Sequence, residues 1–267
     1  MKKTIATLLS AALALTSCAK DDTTVTTPQN TYVLVHGAWQ APWVWDAVAE
    51  GLKQKGNKVI TVELPGHGND TTPTYTLSLD AYSSKVEAAI SGTEGKVILV
   101  GHSMGGMVVT QVAEKLPSRI AKLVYIGAFI PENGQNLGEL AMLDPDSRLR
   151  YSLSPSADQL TLNVQRDSLT TLFIRDGSQA DKDRMLSFYR AEPAIPFSNK
   201  VTLTAANFGT VNKVYIKTLQ DIVITPGFQD RMIAKAGIKT VYSINTSHSP
   251  FLAQAGTVTD LLVKAAQ

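Results

Sequence analysis

The chain has a single cysteine, Cys18, in 267 residues. One cysteine makes no internal disulfide and no cysteine-based metal site. No His, Asp or Glu cluster has metal-ligand spacing, and no glycine loop carries the lysine that phosphate binding needs; no cofactor is expected. The formal charge is only +2, and it vanishes if Lys2 and Lys3 are removed with an N-terminal signal. No basic stripe interleaves with aromatics, so nucleic acid is not an expected partner. The first apolar run, Thr4–Leu15, is too short to span a bilayer as a mature helix. No internal repeat or long low-complexity tract appears. What is present, 44% hydrophobic and 18% charged residues, suits one globular domain with a full core.

The N-terminus reads as a targeting segment. Met1-Lys2-Lys3 is a basic start, and the apolar run ends in Leu15-Thr16-Ser17-Cys18, which resembles a bacterial lipobox. That resemblance implies a signal peptide over residues 1–17 and lipid on Cys18. Residues 18–30, rich in Thr with one Pro, follow as a flexible tether. Ala19-Lys20-Asp21-Asp22 resembles the surface-export signal of Bacteroidetes lipoproteins. The location so implied is the bacterial cell envelope, lipid-anchored in the outer membrane, with the membrane as a partner through Cys18.

From Thr31 onward, strands and helices alternate. Thr31–Val35, Lys58–Val62, Lys96–Val100 and Ala121–Ile126 are short β-rich apolar runs. Between them Trp43–Lys55, Ser78–Ile90 and Gly105–Leu116 carry helical spacing, with Gly56, Gly92 and Pro117 as stops. The rhythm predicts an α/β fold: a mostly parallel sheet covered by helices on both faces. It breaks at Pro131–Asn212, where apolar residues look helical in patches (Leu137, Leu140, Leu143; Leu169, Leu172, Phe173; Met185, Leu186, Phe188, Tyr189). Residues 131–212 are expected to form an inserted helical cap, with the core in residues 31–130 and 213–267. Lys213–Thr218 and Thr240–Ile244 resume as strands, Phe228–Ala236 as a helix, and Pro250 opens a last helix to about Ala266.

The chemistry centres on Lys96–Thr110, KVILVGHSMGGMVVT. An apolar strand meets Gly101-His102-Ser103-Met104-Gly105, and a helix follows. Such a turn lifts a serine hydroxyl clear of the sheet, and flanking glycines fit where a Cβ would clash. A serine hydroxyl needs an adjacent base to act as nucleophile. Of four histidines, only His248 lies in a loop after the last strand. Asp221 follows a strand and falls between Ser103 and His248, giving the order Ser, Asp, His; Asp230 competes but sits inside a predicted helix. An oxyanion needs two backbone N–H donors, and Met104 and Ala38 hold the right positions for them. Trp39, beside that loop, is the candidate pocket wall among Trp39, Trp43 and Trp45. His67, in Pro-Gly-His-Gly, reads as loop-shaping.

With these residues in place, Thr31–Gln267 resembles the α/β-hydrolase superfamily. LVHGAWQAPWVW, VGHSMGGMVVTQVAEKLP, KLVYIGAFIP and TLQDIVITPGFQ resemble the plant methylesterase and hydroxynitrile lyase group and its bacterial relatives. The lyases carry a threonine next to the first-loop histidine and a lysine just after the catalytic histidine. This chain has Gly37 and Ser249-Pro250 there, so the resemblance implies hydrolysis of small-molecule carboxylic esters. Carbon–carbon bond hydrolases and non-catalytic small-molecule-binding lipoproteins of the same fold stay open, as does the oligomeric state.

Overall fold

The computed structural model describes residues 29–267; the signal and lipidation expectations, Cys18 included, lie outside them. The first half runs β1 (Thr31–Val35), α1 (Asp46–Gln54), β2 (Lys58–Val62), α2 (Leu79–Ser91), β3 (Val97–His102), α3 (Gly105–Lys115) and β4 (Ile120–Ile126). An inserted segment carries α4 (Leu137–Met142), β5 (Leu153–Pro155), β6 (Thr161–Val164), α5 (Arg166–Phe173), α6 (Gln179–Phe188), β7 (Glu192–Pro193) and α7 (Ile195–Ser198). The core resumes with β8 (Lys213–Thr218), α8 (Pro226–Lys235), β9 (Thr240–Ile244), α9 (Pro250–Ala253) and α10 (Ala255–Ala265).

Six strands form one sheet in the order β2-β1-β3-β4-β8-β9, and every pairing is parallel. Side chains alternate across a strand, so the buried strands feed two cores. Tyr32, Leu34, Ile98 and Val100 face one side, where α1 and α10 pack together. Val33, Val35, Leu99 and Tyr125 face the other, against α2 and α3. Each fully buried aliphatic side chain contributes roughly 1.5–3 kcal/mol. Residues buried on both faces explain why these strands read as continuous apolar runs. Ser78 caps α2, its hydroxyl accepting from the Ala81 N–H at 3.0 Å.

Three local expectations need correction. The Trp43–Lys55 helix starts as a 3-10 turn at Pro42–Trp45 before α1 begins. The last helix breaks at Gln254, leaving α9 and α10. The insertion is not wholly helical: β5, β6 and β7 make a three-stranded antiparallel sheet. These strands have three, four and two residues, too short for an alternation to show. Among the described residues no helix is long and apolar enough to cross a membrane.

Candidate active site

Ser103 stands at the turn between β3 and α3 with φ +53°, a left-handed conformation that costs a residue with a Cβ about 1–2 kcal/mol. The glycines around it make the turn possible. A Cβ on Gly101 would lie 2.7 Å from the Gly105 carbonyl oxygen, and one on Gly105 would lie 2.7 Å from that of His36. The Ser103 carbonyl accepts from Gly106 at 3.0 Å and from Phe129 at 3.2 Å, which pins the turn to the first turn of α3 and to the segment that follows β4.

His248 hangs from the loop after β9, and its Nε2 lies 3.0 Å from Ser103 Oγ. Its Nδ1 lies 2.7 Å from Asp221 Oδ2. A carboxylate only accepts, so the imidazole proton belongs on Nδ1, and Nε2 turns a lone pair to the hydroxyl. Asp221 itself is held hard: Oδ1 accepts from the Val223 and Ile224 N–H groups at 2.8 and 3.0 Å, and Oδ2 accepts from Thr218 Oγ1 at 2.8 Å. All three side chains are buried. His102 Nε2 donates to the His248 carbonyl at 2.9 Å, fixing the loop from below. Burial, and then the neighbouring His248, hold the His102 imidazole well below the usual histidine range.

Ala38 and Met104 line the same cavity as Ser103. Among the described residues neither backbone N–H has an acceptor. Met104 also opens α3, whose N-terminal end favours developing negative charge. The cavity has a volume of about 320 Å³. Its wall is apolar, with Trp39, Leu137, Leu149 and Phe197 among its residues and Arg150 the one charged side chain. A larger cleft, about 480 Å³, lies by Trp43 and Phe188; it contains none of Ser103, Asp221 or His248. Trp45 is buried in the core against Phe251, and Trp43 packs against Phe188 with its ring tilted 32° from that of the phenylalanine. Asp230 lies on α8 and pairs with Lys217 instead of His248.

Gln229, which closes the TLQDIVITPGFQ motif at a spacing from Asp221 that matches the methylesterase group, was given no role by the sequence reading. Its side chain ties the acid loop together, donating to Ile224 O at 2.7 Å and Thr218 Oγ1 at 2.9 Å while accepting from Thr218 N–H at 3.1 Å. Its spacing from Asp221 is the signal that was available. Glu192 was also missed. It is fully buried in β7 and lies 2.8 Å from His67 Nε2; nothing in its local sequence marks it.

The alpha/beta hydrolase family model matches residues 32–261. The chain belongs to the alpha/beta hydrolase family. Within it, the hydrolase is 28% identical over 249 residues to putative methylesterase 14 of Arabidopsis thaliana, a protein named chloroplastic; the match covers 88% of this chain and 72% of the relative. Its fold matches crystallised polyneuridine aldehyde esterase with TM-score 0.79 at 21% identity, covering 90% of this chain and 100% of the esterase. It likewise matches a pyrethroid hydrolase from Sphingobium faniae JZ-2 with TM-score 0.79 at 22% identity, covering 89% and 97%. These relatives correct the expected location. They include plant methylesterases, several of them named chloroplastic, and none supports a lipid-anchored position in a bacterial outer membrane. That expectation is withdrawn.

Proposed function

We propose that this hydrolase cleaves small carboxylic esters through an acyl-enzyme on Ser103. The enzyme class, carboxylic ester hydrolase, is the one its methylesterase relatives carry in their names. The observation that carries the mechanism is the unbroken chain of contacts from Asp221 through His248 to Ser103, at 2.7 and 3.0 Å. His248 Nε2 takes the Ser103 proton as Oγ attacks the ester carbonyl. The tetrahedral oxyanion accepts from the Ala38 and Met104 N–H groups, and Asp221 stabilises the imidazolium. His248 then returns the proton to the departing alkoxide, and the alcohol leaves. Water, deprotonated by His248, attacks the acyl carbon, and the acid leaves as Ser103 regains its proton. The apolar cavity favours an apolar ester, with Trp39 as one wall. In this reading residues 131–212 act as the cap over a core of residues 31–130 and 213–267.

The test is turnover of a small aryl ester by wild type and Ser103→Ala, with fluorophosphonate labelling of both. The variant should lose at least about 10⁴-fold in kcat, as removal of a serine nucleophile does elsewhere, keep its thermal transition, and take no label. Failure of folded wild type to hydrolyse any ester or take the label would overturn the proposal in favour of a binding protein on the same fold.

A further inference from the structure

Trp39 is the residue immediately after the Ala38 donor, and its backbone is strained. Its φ is +57°, a region that a bulky side chain enters only when its surroundings hold it there. What holds it comes from the inserted segment. The Trp39 N–H donates to Glu192 Oε2 of β7 at 2.8 Å, and its indole Nε1–H donates to the Leu162 carbonyl of β6 at 2.9 Å. Both donors of this residue thus end on the small antiparallel sheet of the cap.

Glu192 is an improbable residue for a plain structural role. It is 0% exposed, and a buried carboxylate is costly unless it is paired and hydrogen-bonded. An uncompensated anion next to the site would also oppose formation of an oxyanion there. His67 supplies the compensation, its Nε2 2.8 Å from the same Oε2, and the Tyr82 hydroxyl reaches Oε1 at 3.5 Å. Burial works against the His67 imidazolium, but the Glu192 carboxylate outweighs it and holds the group above its ordinary value. His36, whose ring centroid lies 4.9 Å from that of His67, stays neutral, pushed down to about 3 by burial and then by the charge on His67. Arg190 also acts on His67 electrostatically. The arrangement keeps one carboxylate aimed at the Trp39 amide with its charge balanced.

We propose that Glu192 is a positioning residue for ester hydrolysis: by accepting the Trp39 N–H, it sets the orientation of the Ala38 donor and ties the oxyanion loop to the cap. The inference rests on the hydrolase reading of Ser103. It departs from a view of the cap as a mere cover over the pocket. A donor aimed at the developing oxyanion works only if it is preorganised, and small displacements near the reacting centre are expensive. Glu192 would therefore act on kcat and on transition-state affinity, and leave ground-state binding alone.

The test compares Glu192→Gln with Glu192→Asp in the full chain. Glutamine retains an acceptor oxygen at the same reach; aspartate retains the charge but withdraws the acceptor from the Trp39 amide by one methylene. Active-site concentration is set by fluorophosphonate titration, so only folded, labelled enzyme is counted. The aspartate variant should lose about 10- to 100-fold in kcat, a part of the loss seen when an oxyanion donor is deleted. Its KM should hold, and its affinity for a trifluoromethyl ketone should fall by the same factor as kcat. The glutamine variant should stay within about threefold of wild type in all three quantities at pH 8, because the donor geometry survives. Equal kcat and equal ketone affinity in all three proteins would overturn the positioning role. So would a loss in the aspartate variant confined to the titratable fraction, which marks a folding defect only. An inactive, unlabelled wild type would instead sink the hydrolase reading itself, so the two failures are distinct.

Discussion

Ser103, Asp221 and His248 all sit on loops at the carboxyl ends of β3, β8 and β9, while much of what braces the neighbouring backbone comes from the inserted segment. Glu192 accepts from Trp39 beside the first loop. Asp144 accepts from the Thr225 N–H and hydroxyl, both at 2.8 Å, just past Asp221. Asp176 accepts from the Ser247 N–H at 2.8 Å, one residue before His248. The sheet loops therefore carry the three side chains proposed to react, and the inserted segment carries carboxylates that fix the chain around them. The difference teaches what a substitution in each region should do. A change in the core should remove chemistry and spare the fold; a change in the cap should loosen the fold first and reach chemistry only where it touches a donor.

The largest effect that sharpens this contrast is expected at Asp221. Replacing it with Asn removes the acceptor that keeps the His248 proton on Nδ1. The geometry can survive while the tautomer becomes wrong, and kcat should fall about 10⁴-fold. Steady-state turnover alongside circular dichroism checks this. A native spectrum with the full loss of rate supports the division, and an unfolded variant would show that Asp221 is chiefly a structural brace.

A middle-sized effect belongs to Asp144, on the cap side of the comparison. It is 2% exposed, and Thr225, which it caps, is itself the N-cap of α8. Asp144→Ala leaves the Thr225 N–H without that acceptor, at a cost of about 1.5–3 kcal/mol for a lost hydrogen bond to a charged group. Urea denaturation should register that loss, with kcat within about fivefold of wild type, because Asp221 keeps its own backbone donors. A large loss of kcat with full stability would break the contrast and put Asp144 among the groups that serve the chemistry.

The two regions also differ in how much of them could be read before folding. The elbow is legible because its reasons are local: two glycines where a Cβ would strike backbone, an apolar strand before and a helix after. Asp221 and His248 are legible from their place after strands and their order along the chain. The three cap carboxylates have no such signature. Glu192, Asp144 and Asp176 meet partners 153, 81 and 71 residues away, and in sequence each looks like an ordinary solvated acid. The cap sheet was hidden for a related reason, since its strands, two to four residues long, are too short for a repeated alternation to show. The envelope location went astray differently: it leaned on a short N-terminal resemblance, whereas the family relationship spans residues 32–261.

The smallest effect expected is a change of slope, and it separates two histidines that sit side by side. His36 belongs to the core: its Nδ1 donates to the Gly37 carbonyl at 2.9 Å and its Nε2 accepts from the Leu64 N–H at 3.3 Å, so it is folded in as a neutral ring, pushed down to about 3. A folded value below the unfolded one, about 6.5, gives stability that is present above pH 6.5 and lost as pH falls from there towards 3. His67 faces the cap carboxylate of Glu192, with His36, Tyr82 and Arg190 also around it, and is held above its ordinary value despite burial. The sign is then opposite: its contribution is full below about 6.5 and lost as pH rises through the folded value. His67→Gln keeps a donor for Glu192 but no charge. Stability measured by urea denaturation across pH 5.5 to 9 should show the gap between wild type and this variant widest at the acid end and closing towards the alkaline end. A gap that instead narrows towards the acid end would mean that His67 is bound neutral and that the cap grips the oxyanion loop through an uncharged hydrogen bond. A gap that closes would place the loop's anchor on an ion pair, which salt and alkaline pH loosen before they disturb the sheet that carries Ser103.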